Sequence, residues 1–108
     1  MSLENVQAYE NFNTLVIAQA TAPAGYATLK SLLSPAALAQ LAGRPVCRVE
    51  LRKASAAMNV ASSASPSADV LALATTDVLT LASLSALDQV HVNSAGGSTT
   101  FNIIIYLA

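Results

Sequence analysis

Charge is the scarcest ingredient of this sequence. Only 10% of its 108 residues are Asp, Glu, Lys or Arg, against about 25% in an ordinary soluble domain. A domain this small is mostly surface and normally coats that surface with Lys and Glu. The deficit therefore implies that part of the surface faces other protein. A monomer coated in Ala, Ser and Thr is the competing explanation, because alanine supplies much of the 54% hydrophobic share while adding little area. A net charge of −1 gives no general attraction to nucleic acid or to an anionic membrane. Tryptophan is absent and aromatics are 5% of the chain, so platforms for stacking bases or sugars are few. A single cysteine, Cys47, cannot form a disulfide within the chain, and no oxidising compartment is implied. No run of about 20 consecutive apolar residues occurs. Glu4 and Glu10 stand where a secretory leader would be basic and then apolar. The expectation is a soluble protein made without export.

What is present reads mainly as β-structure. Residues 1–13 are mixed and polar, either an extended arm or a short helix with Leu3, Val6 and Tyr9 at helical spacing. Thr14 to Ala20 is β-branched and apolar, a first strand broken at Pro23 and Gly25. Tyr26 to Leu33 suits a shorter strand, although it would also tolerate helix. Ser34-Pro-Ala-Ala-Leu-Ala-Gln-Leu-Ala-Gly43 carries the clearest local signal, with Ser34 as N-cap, Pro35 in the first turn and Gly43 at the C′ position. A helix so short must pack on a sheet through Leu38 and Leu41. Val46 to Lys53 alternates, with Cys47, Val49 and Leu51 on one face and Arg48, Glu50 and Arg52 on the other. A strand is expected around Met58 to Val60 and a loop over Ser62 to Ser67.

Asp69-Val-Leu-Ala-Leu-Ala recurs eight residues later as Asp77-Val-Leu-Thr-Leu-Ala. Two short strands separated by Thr75-Thr76 are favoured over capped helical turns. Gln89 to Asn93 and Thr99 to Leu107 then read as a hairpin turning at Ser94 to Ser98. The fold class expected is mainly β, a single antiparallel β-sandwich of about seven or eight short strands, jelly-roll-like or Greek-key, with one short α-helix near 35–42. The sandwich occupies residues 14–108.

No catalytic, cofactor or metal motif emerges. His91 lies between Val90 and Val92 and points away from them, with Asp88 just before its strand. No Gly-x-Ser-x-Gly accompanies them, so a strand histidine is favoured over a catalytic one. Asp69, Asp77 and Asp88 each precede an apolar run, where aspartate serves as a turn or strand-end residue. Calcium would want closely spaced acidic ligands, and none occur. Gly96-Gly97 lacks the lysine and helix of a phosphate loop and suits a turn. Cys47 reads as a buried thiol.

One distribution stands out. Arg44, Arg48, Arg52 and Lys53 hold four of the five basic residues within one decade, and every charge after Lys53 is acidic. They form either a solvated strand face around Glu50 or a subunit contact, in which this basic edge meets the acidic loops of another copy or an acidic capsid surface. Nucleic acid ranks third, since Glu50 interrupts the patch. Ile103-Ile104-Ile105 sends side chains to both faces of the last strand, so that strand is central or is sealed by a neighbour. Ile104 and Tyr106 therefore join the candidate contact residues.

Ala22-Pro-Ala-Gly-Tyr26, Val46-Cys-Arg-Val-Glu-Leu51 and Leu79-Thr-Leu-Ala-Ser-Leu-Ser-Ala-Leu-Asp-Gln-Val-His-Val92 together resemble small β-sandwich virion proteins of tailed bacteriophages. In these a Pro-Ala-Gly turn opens a strand, and a turn-and-strand of the Leu/Gly-Asp-x-Val/Ile-x-Val kind precedes the last hairpin. The resemblance implies a non-enzymatic capsid decoration (cement) or minor capsid protein, located in the virion and made in the host cytoplasm. Its implied partners are its own copies and a major capsid or other virion protein, with no cofactor, nucleic acid, membrane or small-molecule ligand. A neck, tail or fibre component is the alternative within the virion, and a lectin-like binding module the alternative outside it.

Overall fold

The computed structural model describes residues 14–66, 70–82 and 85–108. The arm or helix expected over 1–13 and the role expected of Asp69 lie outside the described residues. Among those residues the chain is mainly β. It runs β1 (Thr14–Ala22), β2 (Ala27–Thr28), a 3-10 turn (Lys30–Leu32), α1 (Pro35–Leu41), β3 (Val46–Arg52), β4 (Met58–Ala61), β5 (Val70–Leu73), β6 (Leu79–Leu81), α2 (Ala86–Gln89), β7 (His91–Asn93) and β8 (Thr99–Leu107). The strands form two four-stranded antiparallel sheets, ordered β1-β8-β3-β6 and β2-β7-β4-β5. The pairing is nested. Outermost strand meets outermost, β1 with β8, then β2 with β7, β3 with β6 and β4 with β5. The additional pairs β3–β8 and β4–β7 join these rungs into sheets.

One hydrophobic cluster draws on both sheets: Val16, Val49, Leu51, Phe101, Ile103 and Ile105 from the first, Met58, Val60, Leu73 and Val92 from the second. The two-residue period of a strand produces this sorting. On β8 the odd positions from Phe101 to Leu107 are at most 1% exposed, while Thr100, Asn102, Ile104 and Tyr106 face outward. β8 is central, flanked by β1 and β3, so Ile103 and Ile105 fill the shared core and Ile104 lies on the sheet's outer side.

The helix near 35–42 forms for the reasons its sequence gave. Ser34 Oγ accepts a hydrogen bond from the Ala37 amide at 3.2 Å, Pro35 occupies the first turn, and Gly43 follows at φ +76°. Ala37 is buried, and Leu38 and Leu41 pack against the core.

Three expectations are corrected. First, β7 and β8 are not a hairpin, because they belong to different sheets. Their connection crosses from one sheet to the other beside the β1–β2 connection, and one backbone and two side-chain donors bind it to the carbonyls of residues 22–24. The Ser94 amide donates to Pro23 O at 2.9 Å, Ser94 Oγ to Ala22 O at 3.1 Å, and Asn93 Nδ2 to Ala24 O at 3.0 Å. Turn composition alone does not decide which strands pair, and here β1 and β3 take both edges of β8. Second, the segment from Tyr26 keeps only two strand residues, Ala27 and Thr28, before Lys30–Leu32 coils into the 3-10 turn. There Ser31 Oγ donates to Thr28 O at 2.7 Å, a local bond that competes with a ladder. Third, Asp88 and Gln89 lie in α2 rather than at the start of a strand. Asp77 does act as a turn residue, its Oδ2 accepting from the Ala74 amide at 2.8 Å. The two halves of the internal echo become β5 and β6, one in each sheet.

Candidate functional site on the outer face of the first sheet

The register of β1, β8, β3 and β6 lays the outward side chains in rows. Leu15, Tyr106 and Arg48 form one row, Ile17, Ile104, Glu50 and Thr80 the next, and Gln19, Asn102 and Arg52 a third. Three residues named from the sequence thus come together: Arg48, Ile104 and Tyr106. Arg52 extends the same face. The other two sit apart. Arg44 lies between α1 and β3, where its Nη2 and Nε donate to Ala108 O at 2.9 and 3.3 Å. Lys53 follows the end of β3 at φ +57°, exposed. The basic decade is therefore no single patch. Arg44 and Lys53 lie outside the strand, which spans Val46–Arg52 and alternates from Cys47 onward, after an irregularity between Val46 and Arg48.

The centre of the face is a linked cluster. The Arg48 guanidinium carbon lies 4.1 Å from the centre of the Tyr106 ring, within cation–π range. Tyr106 Oη donates to Glu50 Oε1 at 2.9 Å, and Glu50 Oε2 stands 3.9 Å from Arg48 Nε. That nitrogen is itself buried and makes no hydrogen bond. Glu50 is 14% exposed at its side chain and Arg48 29%, so water screens the cluster only in part. Ile104 beside it is 8% exposed, although it lies outside the core between the sheets. The apolar surface then continues onto β1, where Leu15 is 44% and Ile17 63% exposed.

Leu15 and Ile17 were not among the residues named from the sequence. Their signal was there in the odd-numbered register of β1, where Leu15, Ile17, Gln19 and Thr21 share the face opposite Val16, Ala18, Ala20 and Ala22. Glu50 was visible only as an interruption in the basic run; its bond to Tyr106 spans 56 positions, and no sequence period reports it. Of the side chains on this face, the tyrosine ring and the arginine are of the types enriched at protein–protein contacts.

Two other features lie elsewhere on the molecule. A cleft of about 530 Å³ lies between α1 and α2, lined by Leu38, Leu41, Val46 and Leu87, with the exposed pair Lys30–Asp88 (3.6 Å) at its rim. No aromatic residue lines it. His91 faces outward from β7, its Nδ1 3.0 Å from Gln89 O. Among the described residues no three His, Cys, Asp or Glu side chains are grouped to hold a metal ion. Cys47 is a buried thiol. Among the described residues no helix is long and apolar enough to cross a membrane. Compared with protein-family models, curated proteins and solved structures, the chain finds no match.

Proposed function

We propose that this protein is a non-enzymatic structural subunit of a bacteriophage virion, a capsid decoration or minor capsid protein that works through contacts between subunits. We also read its two sheets as a β-sandwich of jelly-roll type. The nested pairing of β1 with β8, β2 with β7, β3 with β6 and β4 with β5 supports that reading, since a jelly roll is a long antiparallel ribbon folded across two sheets. Jelly rolls serve capsids and lectins alike, so function is argued from the surface and not from the fold.

The observation that carries the proposal is the outer face of the first sheet. Leu15, Ile17 and Ile104 surround an Arg48–Tyr106–Glu50 cluster there, on a chain that is only 10% charged. Such a face fits an extended protein surface better than a small solute. The partners proposed are further copies of the chain and a major capsid or other virion protein. A neck, tail or fibre position would use the same contacts.

The test has two arms. Light scattering on the purified chain should find an oligomer, and antibodies raised against it should decorate intact phage particles under the electron microscope. A stable monomer that binds a glycan and labels no particle would overturn the proposal in favour of a lectin-like module.

A further inference from the structure

We propose that two copies of this chain join edge to edge through β1, antiparallel and centred on Ala18, to make one continuous eight-stranded sheet. A sheet edge carries unpaired amides and carbonyls, and proteins blunt it by shortening, charging or bulging the strand. Three of the four edges here are short, with two residues in β2, four in β5 and three in β6. β1 has nine residues and pairs with β8 without a bulge. Its sequence, Thr-Leu-Val-Ile-Ala-Gln-Ala-Thr-Ala, contains no charge and no proline. Among the described residues no strand lies on its other side.

The bonds of β8 decide which groups face that open side. Thr100 O accepts from the Ser55 amide, the Thr100 amide donates to Ser55 Oγ, and the Ala108 amide donates to Pro45 O. Pro45 and Ser55 flank β3. Even-numbered residues of β8 thus direct their backbone groups to β3, and odd-numbered ones direct theirs to β1. Those odd residues sit opposite even ones, Val16 with Ile105, Ala18 with Ile103 and Ala20 with Phe101. The amides and carbonyls of Leu15, Ile17, Gln19 and Thr21 are left aimed outward.

A second copy fits this edge. With Ala18 on the two-fold axis, Leu15 lies opposite the second copy's Thr21, and Ile17 opposite its Gln19. Each is a pair that exchanges two hydrogen bonds, so every outward amide and carbonyl of both strands is satisfied. Centring on Ile17 instead leaves Thr21 facing a position beyond the strand. The charges also permit it. The outward side chains of β1 are neutral, and Arg48, Glu50 and Arg52 stand two strands back, about 10 Å at the usual spacing. No like charges oppose across the axis, and the exposed Ile17 of each copy meets its counterpart diagonally. A single strand pair buries less than the roughly 1,200 Å² of a standard interface, so the dimer is reversible and concentration-dependent. This deepens the subunit reading above and rests on its premise of self-association, not on the identity of the particle.

The test uses the full chain in sedimentation velocity over a wide concentration range. Wild type should dimerise, and Ile17→Lys, at an outward and exposed position, should weaken the dimer several-fold, by removing the apolar contact and placing two like charges at diagonal positions about 7–8 Å apart at their Cβ atoms. Ala18→Cys should give a covalent dimer under mild oxidation, because non-hydrogen-bonded partners bring their Cα atoms within disulfide reach. Gln19→Cys, a diagonal neighbour of its counterpart, should not. A wild type monomeric throughout overturns the pairing. So does a dimer indifferent to Ile17→Lys that Ala18→Cys fails to trap. Slow exchange of the Leu15, Ile17, Gln19 and Thr21 amides in a monomer would also overturn it, since the edge would then be covered within one chain. Particle labelling with a failed cross-link would leave the virion reading standing and remove only this contact.

Discussion

Ile103 and Ile104 are adjacent on one central strand, yet they should respond to mutation as if they belonged to different proteins. Ile103 is fully buried in the core shared by both sheets, whereas Ile104 is 8% exposed on the outer face beside Ile17, itself 63% exposed. Ile103→Ala removes packing and leaves an enclosed cavity, for a cost of about 2–5 kcal/mol. Ile104→Ala loses at most three carbon groups' worth of transfer energy, a ceiling of roughly 2.5 kcal/mol. Its gap lies at the outer face beside the exposed Ile17 rather than between the sheets, so a smaller cavity penalty is expected. The lysine substitutions separate the positions further. Ile103→Lys strands an ammonium between two apolar sheets, a cost comparable to the whole 5–15 kcal/mol stability of a domain. Ile104→Lys can lay its stem over the face and bring its head toward Glu50, opposite it in register, and should cost about 1–2 kcal/mol. For a domain of this length each kcal/mol moves the midpoint by about 4 °C. Thermal unfolding followed by far-UV circular dichroism should therefore show Ile104→Lys folded and melting about 4–8 °C lower, with Ile103→Lys showing no cooperative transition. If both variants fail to fold, Ile104 is enclosed within the single chain and the outer-face argument is wrong.

Three further outcomes follow from local geometry. Ser34→Ala removes the hydrogen bond accepted from Ala37 and should lower stability by about 1 kcal/mol in urea titration, with Ser34→Asp recovering it. Gly97→Ala places a Cβ on a residue at φ +67°, 3.4 Å from the Ala24 amide nitrogen, and should cost about 1–2 kcal/mol; Gly96→Ala, whose Cβ would meet only Ser98 Oγ at an ordinary 3.7 Å, should cost less. A double-mutant cycle of Arg48→Met with Tyr106→Leu should return a coupling of about 0.5–1 kcal/mol, and a coupling indistinguishable from zero would remove the cation–π contact from the account.

Period-two alternation and capping chemistry were legible in the sequence. Val46 to Arg52 announced its two faces, and Ser34, Pro35 and Gly43 announced a helix, because these signals are local. Strand pairing was not legible. Ser94 to Ser98 has the composition of a hairpin turn, and only the bonds from Asn93 and Ser94 to residues 22–24, some seventy positions earlier, show that it crosses between sheets. The candidate face was half legible. Arg48, Arg52, Ile104 and Tyr106 were named, but Arg44 and Lys53 fell away with the ends of the strand; the alternation of β1 marks Leu15 and Ile17 as outward, and only its pairing with β8 places them beside Tyr106 and Ile104.

The nested pairing has a consequence for how the chain reaches its fold. β4 and β5 are close in sequence and can meet early, whereas β1 must wait for β8, with Thr14 pairing Leu107. Such distant closures make folding slow, on the order of milliseconds to seconds. β8 also holds the middle of the first sheet. Until residues 99–107 have left the ribosome, β1 and β3 have no strand between them, and each waits with its apolar face uncovered. A nascent or truncated chain is then a sheet missing its centre, and the long uncharged β1 is the segment it would offer to any other chain nearby.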